Sequence, residues 1–172
     1  MRYYFDSNTW IAIFDHRRIY EKLLGAYSEG KIEIALHQEN IWELVENPEI
    51  DRAKAQRNKA LLKPFGTELQ ADGIFVTGHS ALGMAKLPDQ TSTQIFGQHL
   101  KRKTNKERAL GDAIHLANAA HGQSTIVSCD NQVNSTAAAW RMSWFCFLDF
   151  LELYSWSQEN LTRCKACRRC VD

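Results

Sequence analysis

The chain has 172 residues, of which 44% are hydrophobic, and 21 Lys and Arg stand against 20 Asp and Glu for a net charge of +1. This length suits one globular domain that folds without disulfides or a structural metal. The composition excludes a disordered or fibrous chain, and the near-zero charge excludes a polycation that holds nucleic acid by bulk electrostatics.

Taken in order, Arg2 to Phe5 is a short aromatic run that predicts a buried strand, with a helix or turn from Ser7. Ile19, Leu23, Leu24 and Tyr27 fall at helical spacing within residues 16–29, which Gly30 stops. KIEIAL (31–36) alternates as a second strand. Ile41, Leu44 and Val45 place a helix over 38–46, interrupted by Pro48. A charged surface helix follows over 49–71 with a break at Pro64, and GIFVTG (73–78) reads as a short strand or an extended link. A helix near 93–102 precedes a second helix that Asn105 caps and that runs through ALGDAIHLANAA to Gly122. STIVSCD (124–130) predicts a buried strand, STAAAW (135–140) a helix, SWFCF (143–147) a last strand, and a turn-rich end holds three cysteines. This alternation indicates an α/β sandwich with a mostly parallel sheet.

Asp6 and Asp130 each follow a strand, so in a parallel sheet both project from the carboxyl edge, where open α/β sheets bind ligands. Glu43 lies on the helix after the second strand, and Asp112 on the helix that feeds the Asp130 strand. Four clustered carboxylates repel one another unless cations or protons neutralise them. Hard oxygen donors suit Mg²⁺ or Mn²⁺, which can orient a water and lower its pKa. The structural alternative is that each acid caps a helix or stays solvated.

In this order the residues resemble the PIN-domain nucleases over roughly residues 1–150. The family's opening strand ends in Asp, then a small hydroxyl residue and often Asn, as in YYFDSN; IWEL supplies Glu43. GDAIHLANAAHG supplies Asp112, and TIVSCD supplies Asp130, 18 positions later. Gln132 stands where many members carry a further acid, and His37 where a Ser or Thr often opens the second motif. The segment from Glu43 to Asp112 is longer than in the smallest toxin-type members.

The resemblance implies a three-layer α/β sandwich with helices flanking a mostly parallel sheet; the domain is expected to span residues 1–158, and a basic cysteine-containing tail at 159–172 lies outside the family pattern. The resemblance also implies endonucleolytic RNA cleavage with Mg²⁺ or Mn²⁺. The associated role is a toxin restrained by a cognate antitoxin; a homodimer is expected separately, from the aromatic stretch Trp140 to Trp156. Asp6, Asp112 and Asp130 would ligate the metal and Glu43 would position the nucleophilic water, while Asn8 and Ser128 would hold the carboxylates in place. The alternative is a catalytically weak module that binds RNA or a protein partner. A phosphoryl-transfer enzyme with Asp6 as nucleophile is disfavoured, because Asn8 stands where such enzymes usually carry a second Asp.

Two basic clusters flank the acids: Arg52, Lys54, Arg57, Lys59 and Lys63, then Lys101, Arg102, Lys103, Lys106 and Arg108. Each reads as a phosphate-binding rim or as a solvated helix face, and the second is the better RNA-binding candidate because it leads into the Asp112 helix. His115, three residues after Asp112, reads first as a structural histidine, with a hydrogen bond to a metal-ligating carboxylate as its functional alternative. The aromatic stretch from Trp140 to Trp156 divides between core and a partner surface. Cys164, Cys167 and Cys170 have zinc-like C-x-x-C spacing, but a structural Zn²⁺ usually takes four ligands, so a reduced tail competes with a Zn²⁺ site. The odd cysteine count argues against a disulfide framework. No small-residue cleavage site follows the opening segment, and Arg141, Asp149 and Glu152 interrupt the most apolar run. A cytoplasmic protein with no membrane partner is expected.

Overall fold

Strand β1 (Arg2–Phe5) buries Tyr3, Tyr4 and Phe5 almost completely, as a strand covered on both faces must. The structure is a computed structural model that describes residues 1–66, 90, 93–95, 97 and 106–156. Two helices follow, α1 (Ser7–Asp15) and α2 (Arg17–Ser28), and the chain turns after them through Gly30 at φ +69°, a conformation that suits glycine. Strand β2 (Glu33–Ala35) pairs in parallel with β1, setting Arg2 against Glu33.

The helix expected over 38–46 comes in two pieces, α3 (Gln38–Ile41) and a wide π-helical turn over Trp42–Glu46. The Asn47 N–H donates to the Trp42 carbonyl five residues back at 2.8 Å, and Pro48 cannot extend the coil further. Next, α4 (Arg52–Leu62) starts on an Asp51 cap and tightens into a 3₁₀ turn at Lys63–Phe65, where the break at Pro64 was expected. Residues 93–95 and 97 are helical, while the rest of the helix expected near 93–102, the short strand or extended link expected at 73–78 and the expected Asn105 cap lie outside the described residues.

Helix α5 (Lys106–His121) feeds β3 (Thr125–Ser128), whose four residues are all buried. Helix α6 (Asn131–Ala139) starts four residues before the expected 135–140, because the Asp130 side chain caps it. Strand β4 is shorter than expected, Trp144–Cys146, because Phe147 opens α7 (Phe147–Leu153). This helix replaces the expected turn-rich continuation, and Cys146 Sγ accepts from the Asp149 N–H at 3.4 Å to start it.

Among the described residues, four strands run in the order β2-β1-β3-β4, and every pairing is parallel. Alternation along β1 separates two cores. Tyr3 and Phe5 pack with Trp10, Ile13, Leu23 and Phe150 on one face, and Tyr4 packs with Leu116, Ala119, Val133 and Ala137 on the other. Helices thus cover both faces, giving the expected α/β sandwich. Phe147, Phe150 and Trp156 of the aromatic stretch are core, whereas Trp144 is 37% exposed. Among the described residues, no helix is long and apolar enough to cross a membrane. From β1 the chain moves to β2 on one side and later returns to β3 on the other. The carboxyl ends of β1 and β3 therefore frame the crevice where such sheets bind ligands.

Candidate active site

Asp6 stands at the end of β1 as the N-cap of α1, and its Oδ1 accepts the Thr9 N–H at 2.7 Å. Its other oxygen accepts from Ser128 Oγ, which itself accepts the Asp130 N–H at 2.9 Å. One serine at the end of β3 therefore joins the Asp6 carboxylate to the backbone of Asp130. Burial pushes the Asp6 carboxyl above its ordinary range, opposed by the nearby His115 charge and by hydrogen bonds from Ser128 and Thr9. Asp130 is half-buried, and its Oδ1 accepts from the Gln132 and Val133 N–H groups at 2.6 and 3.3 Å. Gln132 supplies its backbone to this cap and exposes its side chain.

Glu43 sits on the π turn, and its Oε2 lies 2.9 Å from His115 Nε2. Burial alone would raise its carboxyl. The His115 charge, with hydrogen bonds from His115 and Ser7, outweighs burial and holds it below the ordinary range, while the Asp112 charge opposes. His115 is 2% exposed, with Nδ1 2.6 Å from Tyr4 Oη and Nε2 also 3.3 Å from Ser7 Oγ. Burial works against the charged ring, but its contacts with Tyr4, Glu43 and Glu39 prevail and raise its pKa well above the ordinary value. A doubly protonated ring fits this geometry, because one N–H then faces the Tyr4 oxygen and the other the Glu43 carboxylate.

Glu39, one helical turn before Glu43, is only 3% exposed. Burial pushes its carboxyl up to about 7, with Glu43 adding to the rise and His115 opposing it. The approach of Glu43 also explains Gly111: a Cβ there would collide with Glu43 Oε1 and lie 3.6 Å from Glu43 Cδ and 3.9 Å from Glu39 Oε1.

Ser128 thus links the Asp6 carboxylate to the Asp130 backbone, and the Asp112 charge acts on Glu43. His115 acts electrostatically on both Asp6 and Glu43. Asn8 is exposed; Ser7 and Thr9 on either side of it meet the carboxylates instead. Ser7 is the small hydroxyl residue of the YYFDSN pattern, whereas Glu39 and Thr9 are not site candidates in the sequence. The signal for Glu39 is its position four residues before Glu43, on one helical face.

The donors facing the crevice are carboxylate oxygens, a set that suits Mg²⁺ or Mn²⁺. Among the described residues, no group of three or more His, Cys, Asp and Glu side chains stands together as a metal-ion site. Of the basic residues, Arg57 donates to the Phe14 carbonyl at 2.7 Å and to Asp15 at 2.9 Å, tying α4 to α1, while Arg52, Lys54, Lys59 and Lys63 are exposed. Lys101, Arg102 and Lys103 lie outside the described residues, as do the side chains of Lys106 and Arg108 and the whole of Cys164, Cys167 and Cys170.

No curated protein and no solved structure matches the chain. The family model of the PIN domain matches residues 3–139, a span from β1 to the last residue of α6 that includes all four acids. On that span and this parallel topology, the chain belongs to the PIN domain family, a family of metal-dependent nucleases.

Proposed function

We propose that the protein is an endoribonuclease that hydrolyses RNA phosphodiester bonds with Mg²⁺ or Mn²⁺ held by Asp6, Asp112 and Asp130. The observation that carries this reading is the Asp6–Ser128–Asp130 bridge across the crevice between β1 and β3. A bound ion supplies positive charge to the phosphodiester transition state and lowers the pKa of water. Thr9 and Ser128 fix the Asp6 carboxylate in one orientation, so accommodation of an ion falls to side-chain rotation at the half-buried Asp112 and Asp130. Glu43, kept anionic beside His115, orients the attacking water and accepts its proton. The second basic cluster, Lys101 to Arg108, holds the RNA backbone at the entry to α5.

The reading extends to a toxin restrained by a cognate antitoxin and to a homodimer. Trp144 on the edge strand β4 is an exposed aromatic group that such partners would cover. Gln132, in place of a further acid, favours the second reading, a catalytically weak module that binds RNA or a protein. Incubation of the full chain with mixed RNA and Mn²⁺, with and without chelator and beside Asp130→Asn, separates the two. Cleavage that chelator and the substitution both abolish supports the nuclease. Chelator-insensitive or variant-independent cleavage rejects it, and RNA retention without cleavage supports the binding module.

A further inference from the structure

A glutamate on a one-turn coil has three side-chain torsions to order, and the short π turn that carries Glu43 does little to restrict them. The carboxylate is nevertheless held from three directions. His115 Nε2 meets Oε2 at 2.9 Å, Ser7 hydrogen-bonds to it from the start of α1, and Gly111 of α5 leaves the space that Oε1 enters. The imidazole is fixed in turn from the sheet. Its Nδ1 lies 2.6 Å from Tyr4 Oη, and the two rings pack with centroids 5.6 Å apart. Asn118, one turn further along α5, meets the same tyrosine hydroxyl. Tyr4 is 0% exposed and its backbone is held in register between Ala35 and Ile126, so the far end of this chain of contacts is anchored in the buried sheet.

We propose that His115 is a positioning residue of the nuclease, which ties the Glu43 carboxylate to the central strand through Tyr4. This rests on the nuclease reading above. The π turn gives Glu43 its place at the sheet edge, and the Tyr4–His115 pair gives its carboxylate a single orientation toward the attacking water. His115 itself is buried, and its two ring nitrogens are taken up by Tyr4 on one side and by Ser7 and Glu43 on the other. The histidine therefore contributes through the geometry of Glu43 and not as the group that exchanges the proton.

The test compares the full chain with His115→Leu, His115→Gln and Tyr4→Phe. The His115→Gln variant keeps an N–H donor for Glu43, and Tyr4→Phe removes one hydroxyl without emptying the core. Under Mn²⁺, His115→Leu is expected to lower kcat about 10- to 100-fold with KM for RNA little changed, as loss of an orienting partner does. His115→Gln should recover part of that loss, and Tyr4→Phe should lower kcat by a smaller factor in the same direction. A second readout needs no metal. In chelator, the Tyr4→Phe and Glu43→Gln substitutions should be coupled by about three- to tenfold in the unfolding equilibrium constant, and the coupling should vanish in a His115→Leu background. Additive effects of Tyr4→Phe and Glu43→Gln would overturn the proposal even if His115→Leu fails to fold. Wild-type kcat in Tyr4→Phe, or no rescue by a folded His115→Gln, would overturn it as well. Absence of cleavage by the unmodified chain would instead defeat the nuclease reading, while the coupling still reports on the contact chain.

Discussion

Ser128 donates its hydroxyl hydrogen to the Asp6 carboxylate from the neighbouring strand and, with the same oxygen, receives the Asp130 N–H. This single side chain couples the Asp6 carboxylate to the backbone of Asp130, across strands whose register pairs Phe5 with Val127. The arrangement makes the serine more consequential than a buried hydroxyl of its size would suggest.

Replacing Ser128 with Ala leaves one Asp6 oxygen without its donor and the Asp130 N–H without its acceptor. Such losses in a buried setting cost about 1–3 kcal/mol. Chemical unfolding of Ser128→Ala in chelator should show a loss in that range, and nuclease activity should fall further than stability alone explains. A variant as stable and as active as the parent would show that the bridge is incidental.

Glu39 supplies a pH dependence whose sign follows from its environment. Its folded-state pKa is about 7, above the ordinary 4.5, so the fold favours the protonated acid. Its contribution to stability is full below pH 4.5 and is lost progressively as pH rises through 7. Glu39→Gln, which stays neutral, should be more stable than the parent at pH 8 by about 1–3 kcal/mol and nearly equal to it at pH 4. Thermal or urea unfolding across that range in chelator checks the difference, and a gap that shrinks as pH rises would contradict the assignment.

Gly111→Ala should separate stability from activity. Alanine in place of a helix-interior glycine contributes about 0.5–1 kcal/mol, and the atom it meets is the end of a glutamate side chain that can rotate away. That rotation takes Glu43 off His115, and misplacing a catalytic group by an ångström costs on the order of 100-fold in rate. The expected outcome is a Tm close to or below the parent's, because the lost Glu43–His115 contact offsets the helix gain, with cleavage reduced far beyond what that change explains. Full activity would mean that Glu43 does not act from its observed position.

Much of the fold was legible because local signals and tertiary demands agree. The aromatic run before Asp6 can only be a buried strand in a sheet covered on both faces, and the apolar stretch before Asp130 carries the same message. Where they disagree, the reading slipped. Helix α6 begins at Asn131 although its apolar periodicity starts later, because the cap is made by Asp130, a residue read for chemistry rather than for helix initiation. The π turn at Trp42–Glu46 adds a residue to a coil whose apolar spacing looks α-helical, and α7 was hidden by an aromatic run that suits a strand equally well. Glu39 went unnoticed because an acid on a short helix ordinarily faces water; its burial depends on α3 packing against α5, a contact between distant segments. His115 was read as structural first, and only the folded chain shows that its partner is Glu43, 72 residues away.

The central claim is that Asp6 belongs to a metal-dependent RNA-cleaving site, and Asp6→Asn tests it most directly. Asparagine caps a helix about as well as aspartate, so the start of α1 and the fold should survive. The account predicts that purified, folded Asp6→Asn has lost the Mn²⁺-dependent RNA cleavage shown by the parent chain. Undiminished cleavage by that variant, in a contaminant-free preparation, would contradict it.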